Sequence, residues 1–333
     1  MMPMAPVGFS RAAISVLITC AALMAACTPK PDAATLAERT LKAQTLLDTY
    51  YGSSSQLDEA GRLIDEALRD APDYPPAHAQ AARVVIMNGH LVRFEFAGNT
   101  LERAEKILLR ATELDPTYAE AHSLLGHVYT LAGKYREAEA ALTEASRLGS
   151  TNPWTLVNWA HLFEMQGKYD MAMMNWASVV NEGRKTTPQE LRAHIAAIEF
   201  QRNLLARSGP QYAEQVRALC KSALASAPKQ DAWSWGNCAN DLSIVGDFDE
   251  SIVAARGALE RMDYGAGRYT LACGLVGKWS ELSAAGNRAE AEKYFVEAST
   301  VYPNLARLTD SFCGGGPRHK AAQQRLRERL ESP

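Results

Sequence analysis

Two histidines and two tryptophans are the side chains best suited to recognising another molecule. His127 and His161 lie 34 residues apart, and a neutral imidazole both donates and accepts a hydrogen bond. Trp154 and Trp233 each offer a large flat apolar face and one N–H donor, the kind of group that anchors interfaces. Arg83 and Asn240 add a guanidinium and an amide. The thiols of Cys220, Cys238, Cys273 and Cys313 could bridge in an oxidising compartment, where four cysteines admit three pairings; the alternative is that some are small buried core residues. No C-x-x-C pair, close His/Cys ligand spacing, Ser/His/Asp set, paired-carboxylate site or phosphate loop occurs at a usable spacing. An enzyme is therefore not expected, nor a metal or cofactor. With 35 Lys and Arg against 38 Asp and Glu, the net charge of −3 offers no basic face for nucleic acid.

These groups need elements to hold them, and the strongest pattern in the 333 residues supplies helices. Ala132-Gly133-Lys134-Tyr135-Arg136-Glu137-Ala138 is matched 34 residues on by Gln166-Gly167-Lys168-Tyr169-Asp170-Met171-Ala172, and Leu142 and Ala145 are matched by Trp176 and Val179. Helical apolar periodicity flanks each Gly-Lys-Tyr, so each segment reads as two antiparallel helices joined by a short turn. A hydrophobic content of 47% supplies a core and argues against general disorder.

The pattern resembles the tetratricopeptide repeat, a 34-residue helix–turn–helix unit. In residues 119–152 the family's residue classes fall on Leu125, Gly126, Tyr129, Gly133, Tyr135, Ala138, Leu142 and Ala145; in 153–186 they fall on Trp159, Ala160, Phe163, Gly167, Tyr169, Ala172, Trp176 and Val179. Small residues sit where helices cross closely, and large ones fill the space between. The resemblance implies an all-α, right-handed α-solenoid of antiparallel helix pairs. To the left, Tyr74 to Ala79 resembles Tyr118 to Ser123 at a spacing of 44, so ten extra residues are expected near 88–98, among them Leu91, Val92, Phe94 and Phe96. A further pair runs from about Leu36 to Tyr51 and through Ala60, Ile64 and Ala67. To the right, 190–206 and 210–226 read as a pair without the full consensus. The unit at 232–265 is recognisable again, and the last pair carries about six extra residues near Asp263 to Arg268. The chain divides into N-terminal repeats over 36–186, divergent repeats over 187–303, and a tail over 304–333. The last helix, His319 to Leu330, either caps the exposed apolar face of the final repeat or hangs loosely from it.

By the same resemblance the first helix of each unit lines the inner groove. The inward places fall on Glu120, Ser123, His127, Thr130 and Leu131, then on Trp154, Val157, His161, Glu164 and Met165, then on Trp233, Gly236, Asn240, Ser243 and Ile244, with Arg83 at a comparable place in the interrupted unit. His127 and His161 should share one surface, either as ligand contacts or as ordinary half-exposed histidines. Trp154 and Trp233 would anchor a ligand or pack loops, whereas Trp159, Trp176 and Trp235 belong to the core. His78 and His122 fall near the starts of first helices and carry no chemistry. The Lys/Arg set of family members that clamp a terminal carboxylate is missing around His127, His161 and Asn240. The solenoid places Cys220 and Cys238 on adjoining helices and Cys273 and Cys313 around the last pair, which implies those two disulfides.

Residues 1–26 carry Arg11 and no acidic group, then an apolar run ending at Leu23-Met24-Ala25-Ala26-Cys27. This resembles the leader and lipobox of bacterial lipoproteins, with lipid attached at Cys27 and 27–35 as a tether. Thr28, where an Asp would signal inner-membrane retention, leans towards the outer membrane, its inner leaflet facing the periplasm. An ordinary signal peptide, a cut at Cys20 and a retained helix are the alternatives. After residue 27 no apolar run approaches the roughly 20 residues a membrane span needs. The expectation is a non-enzymatic scaffold on the bacterial envelope that binds a protein or peptide partner on its concave surface in pilus, secretion or envelope assembly. The alternative is a periplasmic transporter adaptor, or a binder of a small hydrophobic ligand.

Overall fold

The computed structural model describes residues 32–90, 96–310 and 317–331. Its helices run in tandem, in seven antiparallel pairs. They are α1 (Ala33–Asp48) with α2 (Ser54–Asp70), α3 (Pro75–Gly89) with α4 (Thr100–Leu114), α5 (Ala119–Leu131) with α6 (Tyr135–Arg147), and α7 (Pro153–Met165) with α8 (Tyr169–Glu182). Then come α9 (Pro188–Ser208) with α10 (Ala213–Ser226), α11 (Ala232–Ile244) with α12 (Phe248–Arg261), and α13 (Gly265–Ala284) with α14 (Arg288–Val301). A short α15 (Arg307–Asp310) and a final α16 (Pro317–Glu331) follow. Within each pair the helices pack on one another, and each of the first six pairs packs on the next, as in a solenoid.

The repeat consensus marks where these helices meet. Gly126 faces Leu142 so closely that an added Cβ would lie 2.4 Å from Leu142 Cγ. Ala138, Leu142 and Ala145 on α6 are fully buried, as are Ala172 and Trp176 on α8. The Gly-Lys-Tyr turns have a backbone reason as well: Gly133 and Gly167 both sit at φ 73°, a left-handed conformation that costs glycine little. There Lys134 N donates to Tyr129 O at 2.8 Å and Lys168 N to Phe163 O at 2.8 Å, closing each first helix with a Schellman-type bond.

The irregular segments also resolve into local physics. The ten-residue insertion begins as α3 ends, and its two ends are tied by an antiparallel bridge between His90 and Phe96 and by Ala97 N donating to Gly89 O at 2.7 Å. Leu91, Val92 and Phe94 lie outside the described residues; Phe96 does not. Two equivalent bonds recur 44 residues apart, His78 Nε2 to Pro72 O at 2.7 Å and His122 Nε2 to Pro116 O at 2.9 Å. The extra residues near Asp263 to Arg268 mostly lengthen α13 to 20 residues rather than forming a loop.

The C-terminal helix is a cap. Ala322 and Leu326 of α16 are fully buried in the same apolar cluster as Leu275 and Val276 of α13. His319 stacks edge-on against Phe248 at 5.8 Å, and Arg329 pairs with Glu292 at 2.9 Å. Of the expected core tryptophans, Trp176 is wholly buried, whereas Trp159 and Trp235 are half-buried, with Arg261 lying over the Trp235 ring at 4.1 Å.

The Gly126–Leu142 contact yields a test of the repeat packing. Gly126→Val should overpack the crossing and cost about 1–3 kcal/mol in urea denaturation. Adding Leu142→Ala should recover part of that loss in a double-mutant cycle. Simple additivity of the two losses would show that these side chains do not meet.

Candidate functional site

The first helices bend round until the beginning of the chain meets its later half. Tyr50, just after α1, packs edge-on against Trp233 at the start of α11, with ring centroids 5.5 Å apart. The Arg192 guanidinium of α9 lies 5.1 Å over the Tyr51 ring. Gly52, at φ 99°, lets the backbone pass Trp233, where a Cβ would sit 3.2 Å from the indole. Between these contacts and the inner faces of α3, α5, α7 and α9 lies a half-open cavity of 370 Å³.

One wall of the cavity is polar and tied across helices. Arg83 donates to Asp48 Oδ1 at 2.6 Å and to Gln80 Oε1 at 2.9 Å. Gln80 passes the chain on to Glu120 Oε1 at 3.3 Å, and the Tyr118 hydroxyl donates to Glu120 Oε2 at 3.1 Å. Burial pushes the Asp48 carboxyl up against the opposing pull of Arg83. Deeper in, Ser123 Oγ accepts from Thr155 Oγ1 at 3.1 Å and from Asn158 Nδ2 at 3.2 Å, stitching α5 to α7.

The opposite wall is a row of rings. His127 and His161 stand 5.7 Å apart, His161 stacks on Phe200 at 5.8 Å, and Phe200 stacks on Trp176 at 5.7 Å. Burial pushes the His127 imidazole down to about 4. Burial, with His127 alongside, pushes His161 down to about 3. Both rings are therefore neutral at pH 7, present as hydrogen-bonding and stacking groups rather than charges. Trp154, Trp233, Tyr50 and Phe96 complete the apolar lining.

With this geometry in view, comparison with known proteins identifies the architecture. Residues 107–140 match the tetratricopeptide repeat model, a span that starts within α4, contains all of α5 and ends within α6. The Cut9–Hcn1 hetero-tetramer of the APC/C contains a chain similar in fold, with a TM-score of 0.53 at 13% identity, covering 86% of this chain. The fold is the tetratricopeptide-repeat solenoid. This chain spans 48% of that larger solenoid. A tetratricopeptide repeat protein of Parabacteroides merdae is 12% identical with a TM-score of 0.41, covering 86% of this chain and 98% of its own. One from Thermus thermophilus is 23% identical with a TM-score of 0.37, covering 47% and 79%. No curated protein matches the chain.

Within the solenoid, five of the six residues chosen for the groove converge on the cavity: Arg83, His127, Trp154, His161 and Trp233. Asn240 does not. After Trp233, α11 turns away to pack on α9, and the Asn240 amide donates to Asp241 Oδ1 at 3.3 Å. Leu47, Tyr50, Ile86 and Met87 join the lining, as do Arg192, Glu199 and Phe200. Sequence reasoning missed the α9 group because that unit lacks the consensus that would place its register. It missed Tyr50 because ring closure is not a property of any single repeat.

The expected Cys220–Cys238 disulfide is corrected: both are buried free thiols. They are neighbours, but Cys220 Sγ donates to the Cys238 carbonyl oxygen at 3.8 Å, while Cys238 Sγ accepts from Arg202 Nη1 at 3.2 Å. Arg202 is itself buried and donates through Nε to Asp241 Oδ2 at 2.7 Å, so the sulfur belongs to an ion-pair network. Burial and the Cys220 hydrogen bond push the Cys238 thiol up, away from the reactive thiolate. Cys273 is disulfide-bonded; Cys313, its expected partner, lies outside the described residues.

The two depressed histidines make stability depend on pH. The unfolded chain protonates both rings near pH 6.5, whereas the folded chain does so only near pH 4 and 3. The stability that depends on neutral rings is therefore complete above about pH 6.5 and lost as pH falls towards the folded values. In denaturation measured from pH 6 to pH 4, His161→Phe should remove about 1.4 kcal/mol per pH unit from the slope of the natural chain. Equal slopes would show that His161 is not buried neutral.

Proposed function

We propose that this chain is a non-enzymatic binding protein that receives a protein or peptide partner on its concave face, with one anchoring group of the partner seated in the cavity. The observation that carries this reading is the convergence of Arg83, His127, Trp154, His161 and Trp233, from separate repeats, on one cavity of 370 Å³. That volume suits a small molecule or one or two side chains. Tryptophans beside a concavity are the usual anchors of protein interfaces. The repeat is itself a reused scaffold, so the site and not the fold must supply the argument.

The closure of the cavity also favours a second reading, a free small hydrophobic ligand. Tyr50 against Trp233 on one side and Phe96 on another leave an extended peptide little room to run along the groove. The bacterial-envelope setting, at the inner leaflet of an outer membrane, is supported by Leu23-Met24-Ala25-Ala26-Cys27 and by Thr28. Those residues lie outside the described ones.

Gentle crosslinking in intact cells followed by purification should recover one reproducible partner with the natural chain. The Trp154→Ala/Trp233→Ala variant should lose it at unchanged expression and helical content. Recovery that is equal with both chains would sink the concave-face assignment. Separately, Cys27→Ser should move the protein from the membrane fraction to the soluble one; unchanged fractionation would refute the lipid anchor.

A further inference from the structure

Among the described residues, the charges around the cavity do not balance, and the imbalance has a direction. Its lining carries two guanidinium groups, Arg83 and Arg192, and two carboxylates, Glu120 and Glu199. Both arginines are engaged by carboxylates outside the lining: Arg83 by Asp48 at 2.6 Å, and Arg192 by Asp231 at 3.9 Å. The lining glutamates form no ion pair of their own among the described residues, although Glu199 lies near enough to the buried Arg202, itself paired with Asp241, to act on it through space. Among the described residues Glu120 accepts only from the neutral Gln80 and Tyr118, and Glu199 only from Asn237 at 3.5 Å. Among the described residues, four carboxylates, Asp48, Asp231, Glu120 and Glu199, thus face two guanidinium groups, an excess of two negative charges.

The rest of the wall suits the same ligand. The histidines add no positive charge at neutral pH. His127 Nδ1 is buried in the wall with no hydrogen-bond partner among the described residues and can accept from a cationic N–H, whereas the Trp154 Nε1–H, a donor, takes no part in binding the charge. Tyr50, Trp154 and Trp233 add aromatic rings to the lining, and the negative face of such a ring attracts cations. An anion would meet two glutamates, an Arg83 already committed to Asp48 at 2.6 Å and an Arg192 held more loosely by Asp231 at 3.9 Å. A neutral apolar group would leave both carboxylates facing it unpaired, at the cost that burying charge carries.

We infer that the cavity binds an organic cation, an ammonium or guanidinium group on an apolar stem, with the charge directed to Glu120 and Glu199 and the stem held among the aromatic rings. This rests on the binding role proposed above and names the chemistry of the anchoring group. Such a cation could belong to a free amine or to a residue of a partner peptide.

The test is titration calorimetry on the full chain with three probes of one shape: phenethylammonium, phenethyl alcohol and phenylacetate. Phenethylammonium should bind about tenfold more tightly than the alcohol, and phenylacetate should not bind. Glu120→Gln/Glu199→Gln should erase the preference for the amine while leaving the thermal midpoint within a few degrees. Equal affinity for amine and alcohol, or tighter binding of phenylacetate, would overturn the inference. If both carboxylate variants lower stability too far to titrate, raising salt on the natural chain provides the second readout, since the amine's advantage should shrink and the alcohol's affinity should not.

A short peptide with N-terminal Phe and a free amine, compared with its N-acetylated form, tests the peptide source; preference for the free amine by the same factor supports it. Loss of partner capture in the tryptophan variant, with no amine preference in calorimetry, would leave the binding role standing and refute the cation. An amine preference with partner capture untouched would refute the protein-partner reading and keep the cation.

Discussion

Everything on the concave side of this molecule depends on how closely the two helices of each pair approach. Where Gly126 meets Leu142 there is no room for another carbon, and that crossing sets how the next pair must lie. A helix pair cannot bury its own apolar faces, so each leans on its neighbour and passes on a small rotation. Repeated from α1 to α11, that rotation brings Tyr50 against Trp233. The cavity is the sum of many such steps rather than the work of any one segment. It inherits its rigidity from crossings that never touch a ligand.

Legibility in the sequence follows this division. The pairs over 119–186 could be read because close crossing demands small and large residues at fixed offsets, and Ala138, Leu142, Ala172 and Trp176 meet that demand with full burial. The ten-residue insertion could be located because Pro72, His78, Pro116 and His122 keep the same local contacts on either side of it. Positions facing the groove were legible wherever the consensus held the register, which is why His127, Trp154, His161 and Trp233 arrive together.

What escaped reading depends on accumulated geometry or on the direction of single bonds. Phe200 and Glu199 sit on a helix whose own unit has drifted from the consensus, so no counting places them. Asn240 keeps its place in the register, yet α11 has by then turned to α9, drawn by Asp241 accepting from Arg202 and Asn203 at 2.7 Å each. Cys220 and Cys238 are adjacent, as expected from neighbouring helices. Whether two sulfurs join depends on where each points, and Arg202 claims one of them. Adjacency is a property of the fold; pairing is a property of a few ångströms.

The contact between Tyr50 and Trp233 also changes what kind of object the array is. An open solenoid can gain or lose a unit at small cost, because each pair answers only to its neighbours. Here the end of α1 must land on the start of α11, and Arg192 must reach Tyr51. Adding or deleting one helix pair between them would carry Trp233 past its mark and open the ring. The number of repeats, ordinarily the freest variable in such proteins, is in this chain a fitted dimension.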